Sequence, residues 1–154
     1  VNGEKMVYAS SIKVDVRKST SSESSLVIQK ISRGKNKSKA NLNTTKMSYK
    51  YQVINNTVVL DAYFLSEYKN LWKDEEINIT FYIPENTLVY FDNSTKNFLY
   101  HIDNSTDIYD KDMAKHHFKM TESTLTCSDC KEKVDEKTKE IDIKKTKTII
   151  EKTI

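Results

Sequence analysis

Glycine and proline are scarce in this sequence, which has two glycines and one proline among 154 residues. Ordinary proteins contain roughly 7% glycine and 5% proline. Gly3 and Gly34 lie far apart, so the glycine-rich loops that cradle phosphate groups are excluded. The sequence also lacks any run of about 20 apolar residues, and no segment of it is therefore predicted to span a bilayer.

An excess of charge of one sign is also missing. Lysine and arginine total 25 against 22 aspartates and glutamates, which gives a net charge of +3. Only Arg17 and Arg33 could bind phosphates in the bidentate manner of arginine, because every other cation is a lysine. Nucleic-acid binding requires clustered, uncompensated cations, so a nucleic-acid partner is not expected.

Alternating apolar and polar residues are the dominant pattern, and this period of two predicts β-strands. Residues 12–18 and 24–32 alternate on either side of a serine-rich stretch, which predicts a first β-hairpin. Residues 48–54 and 57–64 flank Asn55-Asn56, a dipeptide that tolerates the positive φ of tight turns, and predict a second hairpin.

Shorter strands are predicted further along the chain. Residues 76–83 alternate cleanly and stop at the only proline, which cannot donate a ladder hydrogen bond. Residues 87–91 and 98–102 predict two more strands, and a last pair is expected at 118–120 and 124–127. Residues 33–45 fit either a short helix or an exposed loop.

Short strands separated by turns every eight to twelve residues favour an all-β fold. We predict a single domain over residues 1–130, built as a β-solenoid-like or stacked-sheet structure, with a sandwich as the alternative. Residues 131–154 form a separate, charged C-terminal tail. Its composition fits either an edge strand or a weakly amphipathic helix.

The two cysteines, Cys127 and Cys130, lie three residues apart. This spacing suits a small disulfide loop, a thiol pair that exchanges electrons, or half of a four-ligand zinc site. His116 and His117 could complete a zinc site across a hairpin, but adjacent strand residues point to opposite faces, so only one of them is expected to join. A disulfide or thiol pair is the favoured interpretation, and no metal is predicted.

Catalytic residues are not predicted, because no sequence frame places a base beside a nucleophile. We expect the chain to be no enzyme and to need no cofactor. Aromatic residues are plentiful, and about half of those on alternating strands should face a core. The remainder could form an exposed patch for a protein, glycan or lipid partner. Trp72, Tyr100 and Phe118 are the candidate contact residues, although Trp72 also suits a plug at the end of the core.

Several stretches together resemble a known family. Residues 58–66, 72–87, 113–120 and 125–130 are similar, in order and spacing, to the C-terminal extramembrane region of phage-shock-protein-C (PspC) domain proteins of Bacteroidetes. The resemblance extends over about residues 7–130. It implies a toastrack-type, adhesin-head-like β-solenoid that is non-catalytic and tethered to a membrane, with a role in envelope stress sensing. The helical PspC segment is absent from this sequence.

From this resemblance we expect an extracytoplasmic interaction or sensory module on the periplasmic side of the inner membrane. Membrane contact would be made through a transmembrane segment outside this sequence. Its expected partner is a membrane protein or another envelope component, with self-association as a further candidate. Two alternatives stay open, namely a metal- or redox-responsive module centred on Cys127 and Cys130, and an adhesin-like domain that binds glycans or surfaces.

Overall fold

The computed structural model describes residues 3, 5–70 and 73–131. In this part of the chain, ten strands and two α-helices alternate with turns. The strands are β1 Met6–Ala9, β2 Ile12–Lys18, β3 Ser25–Ile31, β4 Tyr51–Ile54, β5 Thr57–Leu60, β6 Phe64–Glu67, β7 Glu76–Ile83, β8 Leu88–Tyr90, β9 His117–Met120 and β10 Leu125–Cys127; the helices are α1 Lys37–Thr45 and α2 Asp110–Met113. Among the described residues, no helix has the length and apolar character needed to cross a membrane.

The central sheet has the order β2-β7-β3, with β2 parallel and β3 antiparallel to β7. The predicted hairpin of residues 12–18 and 24–32 is therefore wrong, because β7 lies between its two strands. β7 has an apolar face, and both neighbouring strands place apolar residues opposite it. Ile79 pairs with Val14 on one side and with Ile28 on the other. Alternation predicted each strand correctly, but it carries no information on which strand is the neighbour.

A second sheet has the order β10-β9-β8 and is antiparallel throughout. Phe118 of β9 pairs with Val89 on one side and with Cys127 on the other. The predicted pair of strands near residues 118–120 and 124–127 is thus confirmed. This sheet fixes where the cysteine pair lies, because β10 ends at Cys127.

Two smaller sheets consist of two strands each, β1 with β6 and β4 with β5. The β4–β5 hairpin confirms the second predicted hairpin, and Asn55 adopts the positive φ of 53° that the turn requires. The ambiguous stretch 33–45 contains helix α1. The Asn36 side chain caps this helix by accepting a hydrogen bond from the Lys39 backbone N–H at 2.9 Å.

Residues 98–102 do not form the predicted strand. Leu99 makes only an isolated parallel bridge to Val14. After that bridge, the chain turns at His101, which has a φ of 50°. The Asp110 carboxylate stabilises this turn by accepting hydrogen bonds from the backbone N–H groups of His101 and Ile102, at 2.7 and 2.9 Å. These bonds replace the ladder that a strand would need.

Most phenylalanines of the chain lie in the core, and most tyrosines lie at the surface. Phenylalanines 64, 91 and 118 are buried, whereas tyrosines 8, 51, 63, 68, 90, 100 and 109 are exposed. One cluster of buried side chains joins the central sheet to the β8–β10 sheet. The all-β prediction with several stacked sheets is confirmed. The predicted tail, apart from Lys131, lies outside the described residues.

Candidate interaction surface and the cluster around Cys127 and Cys130

Cys127 and Cys130 form a disulfide that closes a four-residue loop at the end of β10. Both cysteines are partly buried and pack against the core. Two hydrogen bonds hold the loop in place. The Cys127 backbone N–H donates to the Thr106 hydroxyl at 2.8 Å, and the Ser128 N–H donates to the His117 carbonyl at 2.9 Å. Neither bond uses the sulfur atoms, so both can remain when the disulfide is opened.

Asp129, between the two cysteines, binds both neighbouring histidines. Its Oδ1 lies 3.0 Å from His116 Nδ1, and its Oδ2 lies 2.7 Å from His117 Nδ1. Because a carboxylate only accepts hydrogen bonds, we assign the proton to Nδ1 in both rings. The hydrogen bond from the His117 side chain is the main cause that lowers the pKa of Asp129, with further lowering by the His117 backbone N–H and by His116.

The sequence predicted that only one of these histidines joins a metal site with the cysteines, and of the two only His116 belongs to the group of ligand atoms that lie within 4.8 Å of one another. Alternation along a strand, the predicted reason, is not the reason found. In the structure β9 begins at His117, and His116 lies before it, so strand alternation does not apply to the pair. Asp129 is a member of the cluster that was not predicted. Its position inside the Cys-Ser-Asp-Cys loop was the available signal, but its contact with the histidines depends on the pairing of β9 with β10.

The cluster brings together four side chains of the kinds that bind metal ions. One potential ligand atom from each of His116, Cys127, Asp129 and Cys130 lies within 4.8 Å of the others. Cys127 Sγ lies 3.5 Å from Asp129 Oδ1. Disulfide sulfurs are poor metal ligands compared with thiolates, so this structure presents the oxidised form of the cluster.

The three candidate aromatic contact residues have different environments. Phe118 is fully buried, with an exposed fraction of 0%, and its ring packs at a tilt of 60° against that of Phe91 in the core. This corrects the expectation that Phe118 contacts a partner, because β9 turns its ring inward. Tyr100 is 44% exposed, and the Lys13 ammonium lies 4.3 Å from its ring centroid. Trp72 lies outside the described residues.

The β4–β5 hairpin presents an apolar surface that sequence reasoning did not select. The hairpin surface, defined here as residues 51–60, contains no charged residue in a chain that is 31% charged. Its valines are strongly exposed, with Val53 at 62% and Val59 at 47%. Tyr51 and Ile54 are exposed as well. Exposed apolar side chains gathered in one uncharged segment are a common feature of interaction sites.

Two exposed tyrosines follow the hairpin closely. Tyr63 lies three residues beyond Leu60 and meets Tyr8 edge to face, with ring centroids 6.4 Å apart. Tyr68 lies at the end of the β1–β6 sheet, and the Lys5 ammonium is 4.2 Å from the centroid of its ring. Tyrosines of this type combine apolar area with a polar tip and are enriched in protein interfaces.

The fold and these sites define a class of small all-β domain in which a disulfide-closed loop and an apolar hairpin lie at the surface. The chain belongs to the family described as ToastRack found in some PspC, whose model matches residues 1–133. The resemblance inferred from the sequence is thereby confirmed. No curated protein and no solved structure matches the chain.

Proposed function

We propose that this chain is a non-catalytic, extracytoplasmic interaction module of a membrane-anchored, phage-shock-type envelope-stress protein. Family membership supports the association with PspC proteins. The proposed interaction rests on the hairpin surface, because its apolar side chains are exposed and a protein partner would cover them. Its occupant is a protein chain that docks on the uncharged β4–β5 hairpin.

The edges of the hairpin support docking by strand addition. Within the described residues, β4 and β5 pair only with each other, so each offers a row of backbone N–H and C=O groups on its outer side. An isolated two-stranded hairpin is marginally stable in water. A strand contributed by a partner would satisfy these groups, which is the β-augmentation mode of peptide recognition.

The side chains of the hairpin support specificity. One face places Tyr51 opposite Leu60 and Val53 opposite Val58, so that it is wholly apolar. Leu60 packs against the core, whereas Val53 lies towards the turn and is exposed. The opposite face pairs Val59 with Gln52 and Ile54 with Thr57, and its exposed Val59 and Ile54 offer a second apolar contact to a partner. Natural proteins protect free edges with charges or proline. The nearest charged residues in the sequence, Lys50 and Asp61, flank the hairpin surface and do not interrupt it.

The disulfide supports an extracytoplasmic location, because disulfides persist mainly in oxidising compartments. This location is tested by thiol trapping in spheroplasts that contain the full-length membrane protein. An impermeant maleimide should label Cys127 and Cys130 only after treatment with an impermeant reductant. Labelling that requires lysis of the cells, with or without reductant, would contradict the proposed location.

The interaction itself is tested by photo-crosslinking in intact membranes. A photoactivatable residue replaces Val59, and the matched control carries it at Val27, a strand valine on β3 that is 49% exposed against 47% for Val59. We expect a discrete protein adduct at position 59 that is absent at position 27. An adduct with a second copy of the chain would identify self-association as the interaction. Adducts with carbohydrate or lipid alone, or equal labelling at both positions, would refute the proposal.

A second candidate function is a metal- or redox-responsive module. The observation that favours it is the convergence of His116, Asp129 and the two cysteines. Such a module would sense through the disulfide loop and not through the hairpin. The two functions can coexist, because their residues belong to different sheets.

A further inference from the structure

The loop between Cys127 and Cys130 has distances close to those of a tetrahedral zinc site. Zinc binds cysteine sulfur at about 2.3 Å, histidine nitrogen at about 2.0 Å and carboxylate oxygen at about 2.1 Å. Tetrahedral angles then place sulfur about 3.6 Å from oxygen and nitrogen about 3.4 Å from oxygen. The structure has 3.5 Å between Cys127 Sγ and Asp129 Oδ1, and 3.0 Å between His116 Nδ1 and Asp129 Oδ1.

The sulfur atoms are the part of the cluster that must move. In a zinc site the two sulfurs lie about 3.8 Å apart, farther than a bonded pair. Opening the disulfide allows this separation by rotation of two side chains, with the Cα atoms at their present 5.6 Å. The backbone hydrogen bonds of Cys127 and Ser128 hold the loop beside His116 and His117 independently of the sulfurs.

The remaining contacts orient the ligands. His117 holds the Asp129 carboxylate from two directions, with its ring Nδ1 at 2.7 Å from Oδ2 and its backbone N–H at 3.1 Å from each oxygen. The His117 ring in turn packs on the Tyr90 ring, with the two ring centroids 4.7 Å apart. Metal ligands in proteins are commonly oriented by such outer contacts. His117 therefore acts as a positioning residue for Asp129.

We propose that reduction of the disulfide converts this cluster into a zinc site with Cys127, Cys130, His116 and Asp129 as its four ligands. The two forms exclude each other, since a sulfur in the disulfide cannot serve as a thiolate ligand. The loop then switches between an oxidised, closed form and a reduced, zinc-bound form. This inference is independent of the hairpin surface and rests on the second candidate function, to which it assigns a metal, four ligands and a redox switch.

The chemistry balances with a dithiol as the reductant. One thiolate of the dithiol attacks one cysteine sulfur, which forms a mixed disulfide and releases the other cysteine as a thiolate. The second thiol of the reductant then attacks the mixed disulfide and releases the first cysteine. The dithiol becomes a disulfide, and the chain gains two electrons and two protons as two cysteine thiols. Zinc displaces both thiol protons into solvent, while the His116 proton moves from Nδ1 to Nε2. A disulfide oxidant reverses the electron transfer and releases the ion.

The choice of zinc follows from the ligand set. Two thiolates and one imidazole favour borderline or soft ions over calcium and magnesium, which prefer oxygen ligands. A four-ligand set of cysteine, histidine and aspartate suits tetrahedral zinc. The side chains of His116 and Asp129 are 37% and 40% exposed, so the ion can enter from solvent.

The test measures zinc binding by the full 154-residue chain in its two redox states. The chain is reduced with a phosphine under oxygen-free conditions and titrated with zinc against a colorimetric chelator. We expect the reduced chain to bind a single zinc ion and the oxidised chain to bind none. Cobalt should give a thiolate charge-transfer band with the reduced chain, which reports the ligands directly. Failure of the reduced chain to bind, or equal binding by the oxidised chain, would overturn the proposal.

Variants separate the four-ligand site from simple binding by two thiols. His116→Ala and Asp129→Asn should each weaken zinc binding by about tenfold or more. The matched control is His101→Asn, which changes an exposed histidine outside the cluster and keeps a residue that tolerates positive φ. Circular dichroism checks that each variant is folded. Unchanged affinity in both ligand variants would show that the thiols alone hold the ion and would overturn the proposed site.

Discussion

Replacement of Ile79 by alanine tests the central position of β7. Ile79 is 1% exposed and lies between Val14 of β2 and Ile28 of β3. The substitution removes three carbon atoms from the buried side chain. At about 0.8 kcal/mol for each buried carbon the transfer cost is about 2.4 kcal/mol. The cavity left behind raises the expected loss to about 3–4 kcal/mol, within the usual range for such changes.

Urea unfolding followed by circular dichroism measures this loss. A domain of this size is stable by roughly 5–15 kcal/mol, so Ile79→Ala should lower the midpoint substantially at an unchanged slope. Val27→Ala is the control in the same sheet, because its side chain is 49% exposed, and it should cost less than about 1 kcal/mol. A loss below about 1 kcal/mol for Ile79→Ala would refute the placement of β7 between β2 and β3.

Three further predictions concern individual contacts. Burial, and then the charge of Asp61, raises the pKa of Tyr49 from 10.0 to about 12. The stabilisation that comes from burying the neutral Tyr49 phenol is therefore complete below pH 10 and is lost as the pH rises through 12. Tyr49→Phe should remove a tyrosinate component near pH 12 from an ultraviolet titration of the folded chain. Asp110→Asn weakens the bonds to the backbone N–H groups of the turn at His101, and we expect a cost of about 1–2 kcal/mol with faster hydrogen exchange at that amide. Reduction of the four-residue disulfide loop should lower the free energy of unfolding by about 2 kcal/mol or less, because closing so short a loop constrains the unfolded chain weakly.

Local sequence signals predicted the elements whose structure depends on neighbouring residues. Asn55-Asn56 encoded the β4–β5 turn, and Pro84 marked the end of β7. The order of strands was not accessible in the same way. The alternation in β2 and β3 predicts which side chains face the core, and that pattern is equally satisfied by a hairpin or by pairing with β7. The two arrangements differ in which strands pair, and that choice depends on contacts between residues far apart in the sequence, such as Val14 with Ile79.

The candidate site was predictable to the same limited degree. The cysteine spacing and the adjacent histidines were visible in the sequence. The role of Asp129 was not, because it depends on a register that brings residues 116 and 129 together across β9 and β10. Phe118 and Tyr100 looked equivalent in the sequence, yet β9 buries the first, and the turn at His101 leaves the second exposed.

The most direct test of the interaction proposal compares two lysine substitutions in the full-length membrane protein. Val59→Lys places a charge on the hairpin surface, and Val27→Lys places the same charge on an equally exposed valine of β3. Protein partners are captured by crosslinking in membranes and quantified after purification. We expect Val59→Lys to reduce the captured partner by about tenfold or more, because a buried, unpaired charge is costly, while Val27→Lys retains it. Equal capture by both variants would contradict a role for the β4–β5 hairpin as the interaction surface.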